Sequence, residues 1–132
     1  MHLTRMVMTG PPMMHGAAHR LPLVLTQPEG SSRQIGGAWY RVPPGGAISR
    51  HRHTTKAELW FIVQGDGRVW LDEEEIKVEA GSAIYTPPLI SHRLENTGVT
   101  DLILIIATHP PVEGLDPSTG GRPGTEELEV SP

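Results

Sequence analysis

The chain has 132 residues, a formal net charge of −4 and no cysteine. That length allows one domain around one core. Without cysteine there are no disulfides, thiolate metal sites or cysteine nucleophiles, and the mixed charge offers no basic surface to nucleic acid.

Residues 1–28 carry all five methionines without a structural period. Arg5, Thr9, Gly10-Pro11-Pro12 and His15 break the apolar pieces, which argues against a secretory signal or a membrane span. The cytoplasm is therefore the expected compartment. His15 and His19 stand at the i, i+4 spacing that a helix would aim at one cation. Gly16 and the Pro11-Pro12 pair oppose such a helix, and a flexible arm is the expectation. Within the arm, residues 21–26 read as a short apolar strand whose Pro22 suits an edge. That strand is placed to cover a sheet or to pair with another chain.

The core begins near Gln34. Residues 35–42 form an aromatic-bearing strand ended by Pro43-Pro44-Gly45-Gly46. The next strand, 48–53, brings His51 and His53, and its two-residue period aims both imidazoles at one face. Thr54-Thr55-Lys56 is polar and suits a turn, after which Glu58 re-enters on a neighbouring strand facing the same interior. Two ring nitrogens and a carboxylate oxygen then reach one cation, a donor set that suits first-row transition metals. Residues 57–64 are apolar on both faces, as in a strand covered on both sides.

Gly65-Asp66-Gly67 signals a turn, and residues 68–72 read as the hairpin partner of the strand before it, with Val69 and Leu71 on one face and Trp70 on the other. The acidic run 72–75 reads as a solvated turn rather than a divalent-cation site. Residues 76–78 and 82–86 are further short strands, Pro87-Pro88 is a rigid stop, and 90–95 carry His92. Residues 102–108 are the most apolar run and the expected centre of a sheet. From 109 to 132 proline, glycine, glutamate and threonine dominate; such a segment buries too little surface to offset its ordering entropy and is expected to be a mobile tail unless pinned. His109, beside two prolines, reads as a surface turn residue.

Eight or nine short strands without a helix fit a sandwich or a small barrel. Ligands gathered from several strands favour the barrel, whose inward-facing residues converge. Two stretches also resemble a known family. Gly45, His51, His53, Glu58 and Gly65 stand in the order and spacing of the first cupin motif, and Gly81, Pro87, His92 and Asn96 in those of the second. One position departs, since Leu89 stands where a glycine usually follows the proline by two. On these motifs the chain is identified as a member of the cupin family over residues 34–108, of the small single-domain type.

The resemblance implies an all-β double-stranded β-helix, or jelly-roll barrel. Residues 1–28 would be an arm with a strand open to exchange between protomers, 29–108 the barrel and 109–132 the tail. It implies further that His51, His53, Glu58 and His92 hold one divalent transition metal (Fe(II), Mn, Ni, Zn, Co or Cu), leaving one or two positions for water, dioxygen or substrate. Small members of the family are usually homodimers, so a second copy is an expected partner. Without a cation or a strong hydrogen-bond network, burying the Glu58 carboxylate would cost several kcal/mol.

The fold and the site support many chemistries. A metal-dependent enzyme acting on a small organic molecule is expected. Dioxygenase chemistry stands ahead of isomerase, lyase, decarboxylase or polyketide-cyclase-type chemistry, because little acid or base is visible outside the ligand set. The alternative is a non-catalytic, metal-containing ligand-binding or sensor cupin. Candidate pocket residues are Arg41 as a fork for a carboxylate, Tyr85 as a polar group and Trp60 as apolar wall. Whether Tyr40 or Arg41 faces inward is open at this stage. Neither nucleic acid nor membrane is an expected partner.

Overall fold

Inward and outward residues alternate along nearly every strand of the protein, and this alternation decides what reaches its interior. The computed structural model describes residues 5–6, 13–15, 18–24, 27–32, 34–111 and 124–128. Twelve strands and no helix occur among the described residues, so none holds a helix long and apolar enough to cross a membrane. On β4 (Gly36–Val42), Ala38, Tyr40 and Val42 are buried while Trp39 and Arg41 turn outward. The open question between Tyr40 and Arg41 is thereby settled in favour of Tyr40. On β6 (Ala57–Gln64), Glu58, Trp60 and Ile62 point in, and Leu59, Phe61 and Val63 point out.

All pairings are antiparallel, in two sheets. The first runs β1 (Arg5–Met6), β3 (Ala18–Val24), β4, β11 (Leu102–His109), β6 and β9 (Ala83–Thr86), with β2 (Met13–His15) also paired to β3. The second runs β12 (Thr125–Glu127), β5 (Ala47–His53), β10 (His92–Asn96), β7 (Asp66–Leu71) and β8 (Glu74–Glu79). Val42, Ile62, Leu102 and Leu104 from the first sheet share one core with Ile48, Val69 and Leu94 from the second. Two apolar faces closing on each other in this way make a double-stranded β-helix, the jelly-roll barrel expected from the motifs. As its apolar run predicts, β11 is central, lying between β4 and β6.

Three expectations need correction. Residues 68–72 are not the hairpin partner of β6: β7 lies in the other sheet, while β6 pairs with β11 and β9. The turn at Gly65 carries the chain across from sheet to sheet. It does so at φ 95°, where an added Cβ would stand 2.9 Å from the Asp101 carbonyl oxygen and 3.0 Å from Leu102 Cα. Only glycine tolerates both conditions. The outer face of β6 is also not covered by any of the described residues, since Leu59, Phe61 and Val63 are exposed. Finally, the segment after His109 is not wholly apart from the barrel, because β12 returns to pair with β5. The rest of the expected tail, residues 112–123 and 129–132, lies outside the described residues.

At the other end of the chain, His19 is on β3, which pairs with β4 of the same chain. His15 is on β2, so the i, i+4 helical reading of the pair does not apply.

Candidate metal centre

The site is assembled by strand register. His51 and His53 share a face of β5 because they are two residues apart, and β10 sets His92 directly opposite His51. All three rings are buried, with centroids 4.3 to 5.1 Å apart. Glu58 comes from the facing sheet. Its Oε1 stands 3.4 Å from His53 Nε2 and 3.4 Å from His92 Nε2. The three histidines each offer a ligand atom, and these atoms lie within 4.8 Å of one another, a group that can hold a metal ion.

The far side of each ring shows what the near side must be. His51 Nδ1 lies 2.7 Å from the Ser49 carbonyl oxygen, and His92 Nδ1 lies 3.1 Å from that of Ile90. A carbonyl only accepts, so both Nδ1 atoms carry hydrogen and donate it. In the neutral rings the Nε2 atoms are then both acceptors, yet they face each other at 3.0 Å. Two lone pairs at that distance repel unless a cation or a proton joins them. The three histidines therefore fit a metal ion.

Electrostatics prepare the same site. Burial alone pushes the Glu58 carboxyl up, but its close approach to His53 and the pull of His53, Lys56 and His92 in their charged forms outweigh it. Together they hold Glu58 well below the usual carboxylate range. Burial pushes His92 down to about 4, with Glu58 opposing it, so that ring is neutral at pH 7. Trp60 Nε1–H donates to Glu58 Oε1 at 3.2 Å, and the indole meets the His92 ring edge to face at 5.3 Å.

Lys56, in the polar run expected to turn, is 5% exposed with Nζ 3.6 Å from Glu58 Oε2. Nothing in a Thr-Thr-Lys run marks a lysine as buried. The carboxylate it would meet, two residues on, was the one available hint. The sequence reading also missed Thr125, whose Oγ1 lies 3.0 Å from His53 Nδ1.

Of the candidate pocket residues, only Trp60 reaches this site. Arg41 faces out and lies 3.9 Å from Asp101, and Tyr85 is 61% exposed on the outer face. Both occupy the outward phase of their strands, one residue from the buried Tyr40 and Ile84.

The other motif residues shape the loops around the centre. Gly45, Gly65 and Gly81 all have positive φ. Leu89, which replaces a motif glycine, is held at φ 71°, with its N–H donating to the His53 carbonyl oxygen at 2.8 Å. The turn geometry is thus kept without the glycine. Asn96 is a clamp, since its Nδ2 donates to the carbonyls of Val42 and Thr100 at 2.9 and 2.8 Å. Ahead of His92, Asp72 Oδ1 accepts from both the N–H and the hydroxyl of Ser91 at 3.0 Å, so the acidic turn helps to set β10.

Comparison with known proteins agrees with this geometry. An uncharacterized protein of Methanocaldococcus jannaschii is 37% identical over 75 residues, 57% of this chain and 60% of that protein. The oxalate-binding protein of Thermotoga maritima is 34% identical over 62 residues, 47% of this chain and 51% of that protein. The match thus spans little more than half the length of either relative. Among solved structures, an uncharacterized protein of Klebsiella pneumoniae with a double-stranded β-helix domain superposes with a TM-score of 0.64 at 16% identity, covering 92% of this chain and 88% of that one. The family model for the cupin domain matches residues 38–108, a span that includes the three histidines and more than half of the chain. On that match the protein belongs to the cupin family.

Proposed function

We propose that the protein is a mononuclear metalloenzyme acting on a small organic acid, with a divalent transition ion held by His51, His53, Glu58 and His92. The observation that carries this reading is the pair of acceptor nitrogens 3.0 Å apart, His51 Nε2 and His92 Nε2. An ion bound by both nitrogens would remove that repulsion and satisfy both lone pairs at once. When bound, such an ion supplies Lewis acidity to an oxygen of the substrate and, if redox-active, a route for electrons to dioxygen.

The chain's own charges favour an anion. The Glu58 carboxylate and the Lys56 ammonium cancel, and neutral imidazoles add nothing. A divalent ion therefore leaves the site two positive charges in excess inside an apolar barrel, where field lines are little screened. Likeness to an oxalate-binding protein supports a carboxylate ligand. Lys56 also supplies a proton-bearing group 3.6 Å from Glu58, and the case for dioxygen chemistry rested on the lack of one. Lyase, decarboxylase or isomerase chemistry is the better-supported class, ahead of a dioxygenase.

The test is metal analysis of protein purified without chelator, then turnover of dicarboxylates and keto acids with oxygen uptake followed in parallel. Bound metal with product formed and no oxygen consumed is expected. Substrate-dependent oxygen uptake would restore the dioxygenase, and metal-free protein that gains nothing from added ions would refute the centre. The second reading, a non-catalytic ligand-binding cupin, is favoured by the relative's oxalate-binding role. Tight carboxylate binding without turnover would establish it.

The exposed Leu59, Phe61, Val63 and Tyr85 form one apolar strip across β6 and β9, with Leu59 and Tyr85 directly paired. We propose that a second copy of the chain covers it. Phe61→Lys should then shift the mass measured by light scattering from dimer to monomer, and an unchanged mass would refute this.

A further inference from the structure

We propose that β12 belongs to the metal centre and that Thr125 is a positioning residue for His53. This rests on the metal reading above. The three imidazoles are not held alike. His51 and His92 each donate from Nδ1 to the carbonyl two residues earlier, Ser49 and Ile90, so their orientation is supplied locally by backbone. His53 instead faces a side chain 72 residues away, the Thr125 hydroxyl, at 3.0 Å.

That hydroxyl is placed by its own strand. Thr125 pairs with His53, Glu126 with Arg52 and Glu127 with His51. Backbone bonds pin both ends: Thr54 N–H donates to the Gly124 carbonyl at 2.8 Å, and Leu128 N–H to that of Arg50 at 2.9 Å. Gly124 enters the strand at φ 71°, and a Cβ there would stand 3.0 Å from Thr54 Oγ1. Glycine is what allows β12 to close this near to the ligand strand.

The chemistry of the partner matters as well. A carbonyl fixes the ring proton on Nδ1, whereas a hydroxyl both accepts and donates. His53 is thus the one ligand whose tautomer the backbone does not dictate. When Nε2 binds an ion, the proton sits on Nδ1 and Thr125 Oγ1 accepts it, locking the ring towards the centre. Losing such an outer partner typically lowers metal affinity about 10–100-fold.

Zinc affinity of the full chain by chelator competition, with the cobalt(II) electronic spectrum, tests this on wild type, Thr125→Val and Thr125→Ser. Thr125→Val should bind about 10–100-fold more weakly and shift the cobalt bands, while Thr125→Ser stays close to wild type. Gly124→Val, which displaces the strand but keeps the hydroxyl, should weaken binding too. Wild-type affinity in Thr125→Val, or equal weakening in Thr125→Ser, overturns the role of the hydroxyl. Wild-type affinity in Gly124→Val overturns that of the strand. A wild-type chain that binds neither ion refutes the metal reading itself, and this inference falls with it.

Discussion

Replacing Lys56 by Met removes one member of a buried ion pair and leaves the other in place. Lys56 Nζ and Glu58 Oε2 are 3.6 Å apart, with both side chains nearly inaccessible to solvent. Stranding one charge of such a pair costs about 3–5 kcal/mol. Here the loss should be smaller, about 2–3 kcal/mol, because two neighbours soften it. Trp60 still donates to the carboxylate, and the polar His53 ring remains 3.4 Å from it. In the metal-loaded protein a divalent cation beside Glu58 supplies the missing positive charge, so the difference should shrink below about 1 kcal/mol. Urea denaturation at pH 7, with chelator and with saturating zinc, reads both quantities. Equal midpoints for Lys56→Met and wild type in chelator would show that Lys56 does not compensate Glu58. A deficit undiminished by zinc would show that the ion does not sit beside that carboxylate.

Stability and metal binding should separate by residue. His92→Ala should lose bound metal while keeping the β-rich circular dichroism of the fold; full metal content in this variant would remove His92 from the centre. Leu104, fully buried between Tyr40 and Ile62 on the neighbouring strands, should lose about 2–5 kcal/mol on change to Ala with metal content unaltered. A loss under about 1 kcal/mol would mean that the sheets do not meet there as described. The metal-free protein should weaken in acid. His92 titrates at about 4 when folded against 6.5 normally, so between those values the unfolded chain binds a proton that the folded chain does not. Unfolding free energy then falls as pH drops from 6.5 to 4, by on the order of 3 kcal/mol, and Glu58, also depressed, acts in the same direction at lower pH. A urea midpoint that is flat over this window would refute the burial of a neutral His92. Leu89→Gly should stabilise by about 0.5–1 kcal/mol, because relief of a left-handed backbone exceeds the extra chain entropy of glycine. Equal or lower stability would mean that Leu89 is not strained.

The strands and the ligands differ from the rest of the site in how they are written into the chain. His51 and His53 were legible because a two-residue period needs no tertiary information to put them on one face. Glu58 and His92 were legible through motif spacing, and β11 through an apolar run that no surface strand would carry. The side taken by Arg41 stayed open, and Tyr85 turned out exposed, for the converse reason. A one-residue phase reverses a strand's faces, and in 35–42 both phases contain large side chains. The error at β7 has a related origin, since Gly-Asp-Gly marks a change of direction without saying which strand receives the chain.

By itself the sequence determined the all-β class through period and turn chemistry, which are local properties of the chain, and its motif spacing pointed to the barrel and to the three histidines that meet inside it. Only the tertiary structure decided that Lys56 lies against Glu58, that β12 returns to pair with β5 and that the Thr125 hydroxyl meets His53. Those relations depend on which strand lies beside which. That is a choice made by burial over the whole barrel, and no short stretch of chain encodes it.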